Sequence, residues 1–146
     1  MATWIEPAEA DLAASLSQGE IDAYRRDGSI GGDDPVAPLL ERTAALVRTW
    51  IVSGGRCQRL GPTGTIPAGL VIPAMDYAAA KVLKRIDTPL NEDRRKALER
   101  AEDIFDKIAS GAIGVESWSE DGEADEGTRA ATAPAAAKAR PERLLD

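Results

Sequence analysis

The segment from Ile72 to Val115 constrains the fold of this chain more than any other part. It begins with IPAMDYAAAKVLKRI, passes through the short sequence TPLN, continues as EDRRKALERAEDIFDKIAS and stops at Gly111. Apolar residues recur at three- and four-residue steps in both halves, which is the pattern of amphipathic helices. Because only about four residues connect the two helices, they are expected to pack antiparallel. The segment therefore predicts a helical hairpin with one apolar seam.

Each helix of the predicted hairpin carries one apolar stripe, and the second also carries signals for both of its ends. Asn91 is a favoured N-cap residue, and Glu92 and Asp93 place negative charge at the positive end of the helix. Gly111 suits the left-handed conformation of a C-cap. The stripes comprise Met75, Ala78, Ala79, Val82, Leu83 and Ile86 in the first helix, and Ala97, Leu98, Ala101, Ile104, Phe105 and Ile108 in the second.

Two short helices are predicted near the N-terminus. Ala8, Leu12 and Leu16 recur at four-residue steps, which indicates a short apolar stripe. Ser17 and Glu20 then have the Ser-x-x-Glu spacing of a capping box, in which each side chain accepts a hydrogen bond from the other residue's amide. This capping box predicts the start of a second short helix, which carries Ile21 and Tyr24 and ends in the loop sequence RDGSIGGDD.

A long third helix is predicted from Pro35 or Val36 to about Val52, with Gly54 and Gly55 as its stop. Its apolar face comprises Val36, Leu39, Leu40, Thr43, Val47, Trp50 and Ile51. The chain is therefore predicted to be all-α. We expect a small helical bundle with two short N-terminal helices, one long helix and the C-terminal antiparallel hairpin.

A long loop joins the third helix to the hairpin. Residues 53–70 contain five Gly and two Pro, although TIPAG has the composition of an extended edge. Loops longer than about 12 to 15 residues in compact domains tend to be functional or mobile. We therefore predict a contact surface for an acidic, partly apolar partner, and the alternative is a plain surface connection. The predicted contact residues are Arg56, Arg59, Leu60, Ile66 and Leu70.

The composition changes sharply at Glu116. The sequence ESWSEDGEADEG has six carboxylates and no basic residue, and an Ala-rich stretch follows it. Such a composition is typical of a segment that becomes ordered only against a partner. We divide the chain into a helical domain at 1–115 and an extended tail at 116–146. Trp118, Leu144 and Leu145 are the predicted anchors of the tail, because buried aromatic and aliphatic side chains dominate interface energies.

The sequence offers little for catalysis. The chain has one cysteine, Cys57, and no histidine, which removes the commonest general base and argues against a Cys-rich zinc site. Asp33 and Asp34 lack a partner His or Cys and are typical of a turn. GPTG lacks the lysine of a phosphate-binding loop. We therefore expect no enzyme activity, no metal site and no cofactor.

The charge and the apolar runs limit where the protein acts. A net charge of −7 argues against a chain whose main role is to grip phosphate backbones. No stretch has the pattern of a signal peptide or approaches the roughly 20 apolar residues of a membrane span. We expect synthesis in a cytoplasm and no membrane partner.

Basic side chains on the outer faces of the hairpin allow two interpretations. One is a face toward passing DNA inside a ring, and the other is a solvated helix surface with ion pairs. Exposed charge is the ordinary state of helix surfaces, which favours the second. The residues concerned are Lys81, Lys84, Arg85, Arg94 and Arg95.

The order of the helices and the end of the hairpin resemble a known family. DLAASLSQGEIDAYRRDG, PVAPLLERTAALVRTWIV and IPAMDYAAAKVLKRI precede the final EDRRKALERAEDIFDKIASGAIGVES. At the end of the hairpin, the residues that carry the resemblance are Arg94 or Arg95, Ala97, Ile108, Ala109, Gly111 and Ile113. Over roughly residues 9–116 the chain resembles the small helical head-completion proteins, or head–tail adaptors, of tailed bacteriophages, Mu-like and related.

The resemblance implies a structural virion protein in the neck of a particle. It implies a bundle that assembles as a ring, usually about twelvefold, between the portal and the tail or stopper, and that extends the DNA channel. The implied partners are further copies of the chain, the portal protein and a stopper or tail protein, with DNA only as passing cargo. The loop at 54–70 is longer than the family leads us to expect.

Two other functional classes stay open. A small nucleic-acid-binding module needs a basic recognition helix, of which residues 94–100 offer a diluted version. A cytoplasmic helical adaptor with a tail that folds on binding fits the acidic C-terminal region. Salt-sensitive DNA binding by the monomer distinguishes the first class. Partner-dependent ordering of residues 116–146 without a ring distinguishes the second.

Overall fold

The fold is built mainly from helices, as the apolar periodicity predicts. The computed structural model describes residues 3–28 and 33–119. In these residues the helices are α1 Glu9–Leu12, α2 Gln18–Gly28, α3 Val36–Gly54, α4 Val71–Arg85 and α5 Glu92–Ser110. Two short strands, β1 Trp4–Ile5 and β2 Ile66–Pro67, pair antiparallel, and a 3-10 turn at Ala68–Leu70 leads into α4. The all-α class is confirmed.

The three long helices meet around an aromatic cluster. Trp50 of α3 stacks on Phe105 of α5 with ring centroids 4.8 Å apart, and it meets Tyr77 of α4 edge-on at 5.6 Å. Both arrangements are favourable for aromatic rings. The predicted stripes supply most of the core around this cluster. The largest fully buried side chains of the core are Phe105, Leu12, Ile21, Ile51, Ile66, Met75, Leu83, Val36, Val47 and Val82.

The ends of α3 and α5 are those that the sequence predicts. The Asn91 side chain accepts a hydrogen bond from the Arg94 amide at 2.8 Å, so it caps α5. Gly111 closes α5 with φ of 82°, and Gly55 closes α3 with φ of 69°, both in the left-handed region that favours glycine. Local chemistry at these positions therefore fixes the lengths of both helices.

Glu20 connects the N-terminal helices to the hairpin. It accepts a hydrogen bond from the Ser17 amide at 2.9 Å, while its own amide donates to the Ser17 hydroxyl at 3.2 Å, so the predicted capping box is confirmed. The same carboxylate accepts two hydrogen bonds from Arg94 of α5, at 2.7 and 2.8 Å. The Arg94 guanidinium and the Ser17 amide lower the pKa of Glu20 to about 2, against the opposing effect of burial. One side chain therefore caps α2 and holds it against α5.

We expect Glu20→Gln to lower the free energy of unfolding by roughly 2 kcal/mol at pH 6 and by much less near pH 2. Because the folded pKa of Glu20 lies below its ordinary value of 4.5, the stabilisation by the ionised carboxylate is complete above about pH 5 and is lost as the pH falls toward 2. Denaturant unfolding of both proteins at several pH values measures the difference.

Glu92→Gln is the matched control for this pH dependence. Glu92 pairs with Arg95 at 2.8 Å, but its side chain is 64% exposed, so solvent screens the pair. We expect a loss of about 0.5 kcal/mol or less for this variant. If the stabilities of wild type and Glu20→Gln ran parallel from pH 6 to pH 2, the ion pair would not be a source of stability.

Candidate interaction surface

The long loop and the start of the predicted tail leave the helical body side by side. The last turns of α3 and α5 touch, and the Ser53 hydroxyl donates to the Ala109 carbonyl at 3.3 Å. Arg56, just after α3, donates to the carbonyl of Gly111 at 3.0 Å. The chain after α5, residues 112–119, then runs along the loop, and we call it the C-terminal arm. The loop and the arm, which are far apart in the sequence, therefore form one surface.

Loop residues hold the arm mainly through its backbone and one aromatic ring. The Trp118 amide donates to the Arg59 carbonyl at 2.8 Å, and the Gln58 amide donates to the Ser117 hydroxyl at 2.9 Å. The guanidinium carbon of Arg59 lies 4.9 Å from the centroid of the Trp118 ring, within the range of a cation–π contact. The arm thus places an aromatic ring against an arginine of the loop, so part of the contact chemistry predicted for an outside partner is used within the chain.

The N-terminal strand lies under the same surface. The Trp4 indole donates to the Glu116 carbonyl at 3.1 Å. Gly61 is buried beside Trp4, where an added Cβ would lie 3.0 Å from the Trp4 Cβ and 3.0 Å from Cδ1 of Trp118. A side chain at 61 has no room, so glycine lets the loop pass between the two tryptophans. The strand, the loop and the arm are therefore packed as one unit.

Arg48 of α3 fixes the turn of the loop. Its guanidinium donates to the carbonyls of Gly61 at 3.0 Å, Pro62 at 3.0 Å and Thr65 at 2.8 Å. It also lies 5.8 Å from the ring centroid of Trp4. The sequence does not predict this role, because an arginine on a helix has no spacing signal that distinguishes one that binds a loop from a solvated side chain. Only the return of residues 61–65 to α3 reveals it.

The residues predicted for the contact surface do not all lie on it. Arg56 and Arg59 are exposed beside the arm, and Leu60 and Trp118 are half-buried against the core. Ile66 does not belong to the surface, because it pairs with Ile5 in the two-stranded ladder and is fully buried. Leu70 is half-buried in the turn before α4. The other two predicted anchors, Leu144 and Leu145, lie outside the described residues.

Most of the predicted basic face is engaged within the fold. Arg94 is half-buried and holds Glu20, so it is not a free channel-facing group. The Lys84 side chain is exposed and makes no polar contact within the described parts of the chain. The other contacts are Arg85 with Asp27 at 2.6 Å, Arg95 with Glu92 at 2.8 Å and the Lys81 ammonium 5.1 Å from the Tyr77 ring. The arrangement favours a solvated surface with ion pairs over a nucleic-acid face.

Asp34, the second residue of the acidic pair before α3, has a structural role. Its carboxylate accepts a hydrogen bond from the Val36 amide at 3.0 Å and pairs with Arg25 at 3.1 Å. The Arg25 guanidinium holds the pKa of Asp34 below its usual range. Arg25 also contacts Glu9, so it joins α1, α2 and the start of α3. In residues 3–28 and 33–119, no group of three or more His, Cys, Asp or Glu side chains is placed to hold a metal ion.

Comparison with known proteins gives no family or relative for this chain. Neither a protein-family model nor a curated protein or solved structure matches it. Within the described residues, no helix is both long enough and apolar enough to cross a membrane.

Proposed function

We propose that this chain is a structural protein of a phage-like particle, a head–tail adaptor that forms an oligomeric ring in the virion neck. The ring would lie between the portal and the tail or stopper and extend the DNA channel. The observation that carries this function is the resemblance in helix order and hairpin ending over roughly residues 9–116. An all-α body with its loop and C-terminal arm exposed at one end suits such a role, because adaptors need contact surfaces rather than a catalytic pocket.

Exposed apolar side chains support association with further copies. Val52 is 61% exposed near the end of α3, Ile113 is 40% exposed in the arm, and Ile72 is 74% exposed in the first turn of α4. A closed ring joins identical subunits head to tail, so each subunit needs two different complementary patches. Val52 on α3 and Ile72 on α4 are candidates for two such patches, and Ile113 in the arm is a further exposed apolar residue.

The ring is tested by measuring the native mass of complexes captured on an N-terminally tagged full-length chain. The chain is expressed in cells that also make the portal protein of the same particle. We expect a ring of about a dozen copies bound to the portal. Capture of a monomer alone, or of a monomer with nucleic acid, would contradict the adaptor function.

Ile72→Glu tests the apolar contact without removing a core residue. A carboxylate in the first turn of α4 interacts favourably with the helix dipole, so the variant is expected to fold. We expect it to remain monomeric, because a charge in an apolar contact costs free energy unless it finds a partner. Ile72→Leu is the matched control and should retain the ring. Assembly of Ile72→Glu at wild-type concentration would exclude this residue from the interface.

The nucleic-acid-binding alternative has less support from the contacts. Arg85, Arg94 and Arg95 face carboxylates of the same chain, so binding phosphates there requires those ion pairs to break. A cytoplasmic adaptor without a ring remains the other class, and it would appear in the capture experiment as a partner complex of one copy.

A further inference from the structure

A cleft of about 660 Å³ lies between α2, α3 and α4, away from the loop and the arm. Leu39, Leu46 and Tyr77 contribute apolar surface to it, while Arg42 and Lys81 contribute positive charge. Asp33 and Asp34 line one end. A cleft of this size, with an apolar lining and a few polar groups, has the character of a site for a small ligand or a short peptide.

Several donors in the cleft have no acceptor among residues 3–28 and 33–119. Tyr24 is 8% exposed, and its hydroxyl has no hydrogen-bond partner among the described residues. Arg42 is exposed and makes no ion pair within the same residues, and the Lys81 ammonium contacts only the Tyr77 ring there. Arg85 is different, because Asp27 already engages it. These donors line an open cleft, so a ligand with acceptor groups would pair with them in place of water.

These features define the ligand. It must place aliphatic side chains on the apolar lining and carboxylates beside Arg42 and Lys81. It must also keep its carboxylates away from the end occupied by Asp33 and Asp34, where like charges repel. The sequence Glu-Arg-Leu-Leu-Asp at residues 142–146 offers two adjacent leucines and two carboxylates, Glu142 and Asp146, together with one positive charge at Arg143 that suits the acidic end of the cleft. We propose that the segment Glu142–Asp146 binds in this cleft of the same chain.

The length of the connecting chain permits this contact. Residues 120–141 separate the arm from the segment, and 22 residues span up to about 70 Å when extended. The 19 residues of α3, which carry one wall of the cleft, extend over only about 28 Å. A tether also raises the local concentration of a peptide to the order of millimolar. The cleft of the same molecule is therefore favoured over that of a second copy.

The two tyrosines of the chain, Tyr24 and Tyr77, both line the cleft and provide a direct readout. NMR spectra of ring-labelled tyrosine are compared between the full chain and a chain that ends at Arg140. We expect both ring signals to shift on truncation, independently of protein concentration. A synthetic peptide of residues 139–146 should return them toward their full-length positions in the shortened chain.

Arg42→Gln tests the charge complementarity. We expect this exposed substitution to weaken binding of the peptide to the shortened chain about tenfold, because a charge-assisted contact is lost. Arg100→Gln changes an exposed arginine of α5 outside the cleft and should leave the affinity unchanged. In the full chain, Leu144→Asp should reproduce the tyrosine spectrum of the truncated chain.

Two results would overturn the assignment of the segment to its own cleft. The first is a tyrosine spectrum that does not respond to removal of residues 141–146. The second is a response that grows with protein concentration together with dimer formation, which would mean that the segment binds a second copy. Neither readout requires ring assembly, so failure of the adaptor function leaves this test intact.

Discussion

Gly54→Ala is expected to lower the free energy of unfolding by about 3 kcal/mol or more. Gly54 is the last residue of α3 and lies against the last turn of α5, where an added Cβ would lie 1.9 Å from the carbonyl oxygen of Ile108. That oxygen belongs to the backbone and already accepts a hydrogen bond from the Gly111 amide. Because no side-chain rotation relieves the clash, α3 and α5 must move apart. Denaturant unfolding followed by circular dichroism measures the loss.

Gly19→Ala is the matched control, since it adds the same methyl group to a glycine in the first turn of α2. The contact nearest to its added Cβ is the Ser17 hydroxyl at 4.0 Å, so there is room for it. We expect a gain of up to about 1 kcal/mol, because alanine has the higher helix propensity. Equal stabilities of the Gly54→Ala and wild-type proteins would mean that α3 and α5 do not approach this closely.

Arg48→Met is expected to lower the free energy of unfolding by about 3 kcal/mol and to release the loop from α3. The substitution removes three hydrogen bonds to the carbonyls of Gly61, Pro62 and Thr65. These carbonyls then accept hydrogen bonds only if water reaches them. Methionine keeps the apolar stem of the side chain, so the lost packing is small. Hydrogen exchange of residues 56–66 should accelerate more than that of the helical core.

Two variants define what Arg48 contributes. Arg48→Lys keeps the charge but lacks the planar fork of donors, so we expect an intermediate loss. Arg100→Met makes the same chemical change on the exposed face of α5 and should alter stability by about 0.5 kcal/mol or less. If exchange in the loop were unchanged in Arg48→Met, the carbonyl contacts would not be what holds the loop.

Loosening the loop would also affect the arm, because the two share contacts. Gly61 lies between Trp4 and Trp118, and the Arg59 carbonyl accepts a hydrogen bond from the Trp118 amide. The sequence places residues 116–119 in the tail on grounds of composition, while the structure packs them against the loop. Truncations designed to remove the tail should therefore end after Ser119, since an earlier end removes partners of Trp4 and Arg59.

Most of the helical layout could be predicted from the sequence, because the signals are local. Asn91 and Gly111 mark the ends of α5 within a single turn of helix each, and Ser17 with Glu20 marks the start of α2. Apolar periodicity identifies which face of each long helix is buried. These signals depend on residues about three or four positions apart, and they do not depend on the rest of the fold.

The candidate surface could be predicted only in part. Residue type predicts Arg56, Arg59 and Trp118 as contact residues, but nothing in the sequence indicates that the loop and the arm contact each other. The sequence predicts Ile66 on the surface because it lies in a loop rich in Gly and Pro. Its burial depends on pairing with β1, which is about sixty residues away. Neither strand is long enough to show an alternating pattern.

The sequence by itself determined the helices, their ends and the chemistry that the chain lacks. Tertiary structure alone decided that Arg48 holds the loop, that Glu20 holds Arg94 and that Gly54 touches Ile108. Each of these contacts joins residues 13 or more positions apart, and their spacing carries no periodic signal. Caps and stripes arise from the geometry of one helix, whereas these contacts exist only after several helices have packed and brought their side chains and carbonyls together.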